Sequence, residues 1–341
     1  MQLRIGDLFA TPDHYLFALE GEQAVFLDMD RAAYRRSIFF DRRIAPASQR
    51  MLKLPVDQLA AYRDRIAGQP APGWIFHVAH CGSTLLARAL DLPGRTLVIR
   101  EPVPMRQLAV EHRSVPPALR PGWDARLRLA ATMLDRRYAA DAPTIVKANV
   151  PVNFILPEVM ALNPAMPAVL LYFSLDDYLA AILRSDNHRR WLQSITGEMR
   201  AAIEARVGPL AGLGVPELAA ALWFAQIGIY AEAIEAYPNV RSLDAEFLFN
   251  QPDATLAAAF DHFGAAVSGG ELTPILESDL FTTYSKNPRH GFDNAARLER
   301  RAALKQTLVG EIEAARQWVR GREGAPARLG KPLAGSSPDL I

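Results

Sequence analysis

Gly82, Ser83 and Thr84 stand where an apolar segment, residues 74–79, gives way to helical apolar spacing at Leu85, Leu86, Ala89 and Leu90. That pattern predicts a short buried strand, a tight turn through His80, Cys81, Gly82, Ser83 and Thr84, and then a helix. A turn rich in glycine and hydroxyls at such a junction gathers backbone N–H groups that lack an intrahelical partner at the positive end of the helix. Phosphate and sulfate are bound in such places. An ordinary strand-to-helix turn uses the same residue types, so the rest of the loop has to decide.

Three chemistries begin with a loop of this kind. A nucleotide-hydrolysing P-loop needs a lysine on the phosphates, a hydroxyl on magnesium and a glycine several residues upstream. This loop has no lysine and no glycine at that spacing. A cysteine phosphatase sets a thiolate at the helix start, where the dipole and nearby cations favour ionisation. Cys81 is in place, but the arginine expected after five further residues falls on Ala87 and arrives one residue late, at Arg88. One residue turns a helical side chain by roughly 100°, away from the thiol.

The third chemistry is sulfonate transfer. Residues 76–86 resemble the 5′-phosphosulfate loop of sulfotransferases that use 3′-phosphoadenosine-5′-phosphosulfate (PAPS): apolar strand, a basic residue, Ser, Gly, Ser or Thr, Thr, Leu, Leu. Gly82, Ser83, Thr84, Leu85 and Leu86 agree with it position by position. Cys81 replaces the small serine and His80 the basic residue. The resemblance implies that Cys81, Gly82, Ser83, Thr84 and Leu85 hold the donor, with His80 supplying partial positive charge or a proton to the leaving oxygen.

A second apolar strand, residues 95–100, runs directly into Glu101 and Pro102. In open parallel sheets ligands sit beyond the carboxyl ends of the strands, so this carboxylate is expected on the same rim as the loop. Sulfotransferases often carry a Glu-Pro there, and the resemblance implies that Glu101 is the general base. An acidic cap at the strand end is the plain alternative. A third strand, residues 143–149, holds Lys147, which by the same resemblance lies at the acceptor pocket. A fourth, residues 167–173, leads into a helix over residues 176–184.

There the family grips the 3′-phosphate with Arg at the strand end and Ser eight places on. Phe173 and Ala181 occupy those positions, and Arg184 and Ser185, one turn further, are the candidate replacements. A fifth strand, residues 240–244, precedes Pro252-Asp253-Ala254-Thr255-Leu256 and a helix closing at Phe263-Gly264, which is similar to the family's third landmark. Pro252 suits a helix start and Gly264 a helix end. A late basic loop over residues 281–293 supplies Lys286 and Arg289, placed by the resemblance at the nucleotide site.

These elements predict an α/β fold: a three-layer, P-loop-type parallel sheet flanked by helices over residues 71–320. Residues 1–70 read as a small β-rich appendage, with a hairpin around Gly21, a third strand at residues 37–40 and a helix from Leu54 to Ile66. An amphipathic helix is expected over residues 124–139, further helices over 188–207 and 298–319, a fully buried helix over 216–237, and a loosely held tail over 321–341.

Half of the 341 residues are apolar, and 38 Lys and Arg balance 37 Asp and Glu, so bulk charge does not argue for a nucleic-acid partner. Cys81 is the only cysteine, which excludes an internal disulfide and a cysteine zinc cluster. The first seven residues lack a secretory apolar segment, and the longest apolar run, residues 218–231, is interrupted by Gln226 and too short for a bilayer. A cytoplasmic enzyme is expected, transferring sulfonate from PAPS to a small-molecule or glycan hydroxyl, with no metal, nucleic acid or membrane. The rival readings are an ATP-dependent phosphoryl transferase with a degenerate P-loop and a non-catalytic nucleotide or anion binder.

Overall fold

The computed structural model describes residues 4–66, 68, 71–284, 287–324 and 326–341. Its central sheet has five strands: β4 (Gly73–His77), β5 (Leu97–Arg100), β6 (Thr144–Lys147), β7 (Ala168–Tyr172) and β8 (Val240–Asp244), in the order β5-β6-β4-β7-β8. β4 and β5 both pair in parallel with β6, with Trp74 opposite Val146 and Ile99 opposite the same residue. Every residue of β4, β5, β6 and β7 is buried, as expected of strands covered by helices on both faces. The chain therefore adopts the predicted α/β architecture, with β4 in the middle of the sheet and the glycine-hydroxyl loop at its carboxyl end.

A second, antiparallel sheet comprises β1 (His14–Glu20), β2 (Gln23–Asp28) and β3 (Met51–Pro55). The hairpin turns at Gly21, whose φ of +59° suits glycine. The third strand is not residues 37–40, as the apolar run Ser37-Ile38-Phe39-Phe40 predicts. Those residues form no strand: Phe39 and Phe40 are buried by packing, and the Phe40 N–H donates to Arg100 O at 2.9 Å. A short hairpin, β9 (Thr283–Tyr284) with β10 (Asn287–Gly291), completes the strands described.

Contacts divide the chain into two compact units. The first comprises Met1–Ile75, Ala87–Ala168 and Ala259–Val267. Two buried arginines organise it. Arg136 lies just past the helix Arg120–Leu134 and donates to the carbonyls of Met133, Leu8, Thr11 and His14, which ties down the start of β1. Arg100, 1% exposed, pairs with Asp91 at 3.1 Å and donates to the carbonyls of Tyr34 and Ser37. The last residue of β5 thus fixes the segment 34–40 to the strand end that carries Glu101. The predicted helix through Tyr138 stops at Leu134, and Tyr138 lies beyond it, donating to Asp13 Oδ1 at 2.8 Å.

The second unit comprises Phe76–Leu86, Val169–Ala258 and Ser268–Ile341. Its core is the helix Val215–Ala236, 22 residues long and apolar enough in length and composition to cross a bilayer. Trp223, Gln226 and Tyr230 on it are fully buried, and the Gln226 amide, which interrupts the apolar run, donates to Leu222 O. The expected terminal helix is two, Asn294–Thr307 and Val309–Arg320, joined at Leu308. The chain end pairs with this unit: Leu333 N–H donates to Ser242 O at 2.7 Å, and Leu340 is fully buried, its carbonyl accepting from Leu175 N–H.

Candidate functional site

The loop after β4 is built around an unusual backbone. His80 has φ +61° and Gly82 φ +83°, both in the left-handed region. Glycine occupies it freely, whereas histidine is strained there, and such strain concentrates at functional sites. A Cβ on Gly82 would stand 2.7 Å from Phe249 Cζ, so the glycine is also required by packing. The helix Ser83–Ala89 follows, opened by Leu86 N–H donating to Gly82 O at 3.1 Å. Cys81 is fully buried and its thiol donates to Val78 O at 2.8 Å. Its side chain is thus turned to the backbone of its own loop, and Cys81, expected at the donor, is not on the wall of the cavity that opens there. Cys81→Ser keeps a hydroxyl donor at that spot and should leave ligand affinity and turnover within about threefold of wild type; calorimetry and any transfer assay check this.

A cavity of about 550 Å³ opens on this loop, entirely within the second unit. His80, Gly82, Ser83, Thr84, Leu85 and Arg184 are on its wall. Thr84 is 1% exposed, and its hydroxyl has no hydrogen-bond partner among the described residues. A buried hydroxyl left unpaired costs about 1–3 kcal/mol, which is consistent with a place kept for a ligand atom.

The residues expected at the second phosphate fare differently. Phe173 and Ala181 do line the cavity, with side chains that bind no phosphate. Ser185 is not on the wall; its hydroxyl contacts His188 Nδ1 at 2.7 Å, while Arg184 donates to His188 Nε2 at 2.9 and 2.7 Å. The His188 ring lies 4.5 Å from that of His80. Arg289 is exposed and off the wall, whereas His290 is on it. Lys286 lies outside the described residues.

Further positive charge on the wall comes from the helix Asn294–Thr307, to which the sequence assigned no function, and Asp177, on the helix Leu175–Ile182, adds a carboxylate. Arg297 forms a two-pronged pair with Glu246 at 2.7 and 2.9 Å, and Arg301 pairs with Glu246 and, at 3.4 Å, with Asp177. Lys305 reaches Asp177 at 2.6 Å. Arg297, Arg301 and Lys305 recur every four residues on one helix stripe, so they face the same carboxylates. Arg300 sits off that stripe, lines the cavity and donates to Tyr284 Oη at 3.0 Å. The legible signal was this offset of Arg300 within the run Arg297-Leu298-Glu299-Arg300-Arg301.

Asp244, the last residue of β8, caps the helix Ala245–Asn250 through Glu246 N–H. Burial, then the nearby Glu246 and Asp177 carboxylates, push its pKa up to about 6 from 3.8. The folded state therefore holds this proton more tightly than the unfolded chain, so the group's contribution to stability falls as pH rises from about 4 to about 6. Asp244→Asn removes the titration and keeps a capping oxygen. The thermal midpoint of wild type minus that of Asp244→Asn should rise as the pH is lowered through 6; a constant difference between pH 7 and 4 contradicts this.

The first unit holds a separate cluster. Glu101 follows β5 with φ +60°, the second strained non-glycine residue at a strand end. Its N–H donates to Lys147 O at 2.7 Å and its carboxylate is ion-paired to Lys147 Nζ. The Lys147 side chain is fully buried while that of Glu101 is 21% exposed. Lys147 Nζ also lies 5.6 Å from the Phe39 ring centre, and Arg43 is 3.9 Å from the same ring. The Arg43 guanidinium is raised above its usual pKa by its bond to Asp41 and, further down, by the Glu101 charge. An anchored, partly open carboxylate beside a buried ammonium can accept a proton from a bound group.

No family model matches the chain and no curated protein matches it. Among solved structures it is similar to the sulfotransferase domain from the curacin biosynthetic pathway, 12% identical over 71% of this chain and 99% of that one, with a TM-score of 0.46. It is also similar to the sulfotransferase domain from the Synechococcus PCC 7002 olefin synthase, 14% identical over 73% and 96% of the two chains, with a TM-score of 0.41.

Proposed function

We propose that the protein is a sulfotransferase that moves the sulfonate of PAPS to the hydroxyl of a small-molecule or glycan acceptor. The observation that carries this reading is the cavity in which residues 82–85, the partnerless Thr84 hydroxyl and two arginines without a carboxylate partner among the described residues, Arg184 and Arg300, come together. A buried hydroxyl with spare bonding capacity and uncompensated cations suit a phosphorylated donor. The loop's lack of a lysine disfavours ATP with magnesium.

In this mechanism PAPS supplies an electrophilic sulfonate on a phosphate leaving group. The amides of residues 82–84 and the Ser83 and Thr84 hydroxyls hold the anion against the loop. Glu101, held by Lys147, takes the acceptor's hydroxyl proton as its oxygen bonds to sulfur. The sulfur–oxygen bond to the phosphate breaks, and His80 donates to the departing oxygen.

Calorimetric titration with PAP (the desulfonated product), PAPS and ATP–magnesium tests it, on wild type and Thr84→Val. Wild type should bind PAP and PAPS without metal. Thr84→Val removes a partnerless hydroxyl, so the ligand-free protein should gain up to about 1 kcal/mol while PAP affinity falls roughly tenfold or more. Binding of ATP only with magnesium points to the phosphoryl transferase; PAPS bound but never turned over, across a screen of hydroxyl acceptors, points to a binding protein.

A further inference from the structure

We propose that Phe39, in the β-rich N-terminal segment, is a positioning residue of the transfer reaction, its ring holding the buried Lys147 ammonium on the Glu101 carboxylate. The proposal rests on the reading of Glu101 as the general base, and it extends the reacting centre to residues 1–70, outside the stretch that resembles sulfotransferases.

Lys147 Nζ lies 5.6 Å from the Phe39 ring centre and is ion-paired to Glu101, and its side chain is fully buried. A charge taken out of water is costly unless its surroundings compensate it. The carboxylate supplies an opposite charge and an acceptor. The ring supplies a negative face that attracts a cation at this distance and offers no lone pair. It therefore stabilises the ammonium without drawing its N–H groups away from Glu101. A water or a polar side chain in the same place would compete with the carboxylate for those protons. The segment's own acid is kept out of that competition. Asp41 is the only acidic residue within 34–45, and its Oδ1 accepts from Arg43 N–H at 2.9 Å and from Arg43 Nε at 2.8 Å. The Arg43 guanidinium in turn lies over the Phe39 ring at 3.9 Å, and Phe39 is only 5% exposed.

The ring is fixed from the strand that carries Glu101. Arg100 precedes that residue and grips both flanks of Phe39. Its guanidinium donates to the carbonyls of Tyr34 and Ser37, and its own carbonyl accepts from Phe40 N–H at 2.9 Å. Ala45 N–H donates to Ser37 Oγ at 3.0 Å, which closes the segment into a loop. The neighbouring Phe40 ring packs against Tyr15 and Tyr34, each with ring centres 5.4 Å apart. Packing alone asks for an apolar side chain at position 39, whereas the ammonium asks for an aromatic one. Without the ring, the flexible lysine stem can turn its charge off the carboxylate, and Glu101, 21% exposed, loses a contact that orients it.

The test replaces Phe39 by Leu, by Tyr and, site-specifically, by phenylalanines carrying one, two and three ring fluorines, which keep the ring's shape while weakening its negative face. The readouts are PAP formed from PAPS with water, phenol or glucose as the acceptor, PAP affinity by calorimetry, and the thermal midpoint, which shows that each variant is folded. Phe39→Leu should slow the reaction about tenfold, and the fluorinated rings should slow it step by step toward the same level. Phe39→Tyr keeps the ring and should stay within about threefold of wild type. PAP affinity should stay within about twofold throughout, since the loop after β4 holds the donor. Phe26→Leu, at a buried ring on β2, is the control: it should lower the thermal midpoint and leave the rate alone. A rate that falls with Phe39→Leu but stays level across the fluorine series makes Phe39 a packing residue and overturns the proposal. A rate unmoved by any of these changes does the same. In both cases a slow Glu101→Gln leaves the base reading standing. Glu101→Gln at the wild-type rate removes the base, and the role of Phe39 with it. A wild type that forms PAP with none of the three acceptors counts against the transferase reading and takes the proposal down too.

Discussion

Glu101→Gln should lower turnover by roughly 10²–10⁴, the range lost with a general acid–base catalyst, while PAP affinity stays within about threefold. The substitution has a second effect that must be separated from the first. Lys147 is fully buried and is ion-paired to Glu101. Converting that carboxylate to an amide leaves a buried ammonium without this counter-charge, and breaking a buried pair from one side costs about 3–5 kcal/mol. Partial exposure of Glu101 places the expected loss at the lower end of that range or below it. Glu101→Gln/Lys147→Met removes both charges and should regain most of the stability, because two matched apolar or neutral groups no longer leave an uncompensated ion. Turnover should not return. If the double variant recovers both, Glu101 is a structural partner of Lys147 and the proton goes elsewhere. If Glu101→Gln alone transfers sulfonate at the wild-type rate, the mechanism fails outright. The assay needs an acceptor, so a screen of hydroxyl compounds comes first.

What the sequence revealed and what it hid follow from how local the cause is. Continuous apolar runs such as Ala168–Tyr172 show their burial directly, because a strand covered on both faces has no polar side to disguise it. The turn between β4 and the helix Ser83–Ala89 was legible for the same reason: glycine, two hydroxyls and a following helix are one short stretch of chain. β3 was not, since it is an edge strand whose Met51 and Lys53 are exposed, which weakens its alternation. Phe39 and Phe40 misled in the opposite direction, being buried by Arg100 and the ion-paired Lys147 rather than by strand pairing. Arg300 shows the limit most clearly. Its place in the cavity exists only because Glu246 and Asp177, distant in sequence, clamp its helix, on which no residue is buried. The hold of β8 on Leu333, near the chain end, is likewise a backbone contact that a Gly-, Pro- and Ser-rich composition does not foretell.

Gly82→Val should abolish measurable PAP binding, a loss of at least 100-fold. Two independent penalties meet at this residue. A φ of +83° is strained for any side chain, and more so for a β-branched one, which costs about 1–3 kcal/mol. The new Cβ also meets the Phe249 ring 2.7 Å away. That ring cannot yield easily, because Arg297 lies over it at 4.1 Å and is itself held by Glu246. Overpacking of this kind adds about 1–3 kcal/mol unless the backbone moves. The backbone that can move is the loop, so its amides and the Thr84 hydroxyl leave the positions that a phosphate needs. Gly82→Val/Phe249→Ala opens space for the side chain without relieving φ. It should regain part of the lost stability in thermal unfolding and little of the PAP affinity in calorimetry. Full recovery of binding in the double variant assigns the loss to the ring contact alone. Wild-type affinity in Gly82→Val itself moves the anion site away from this loop.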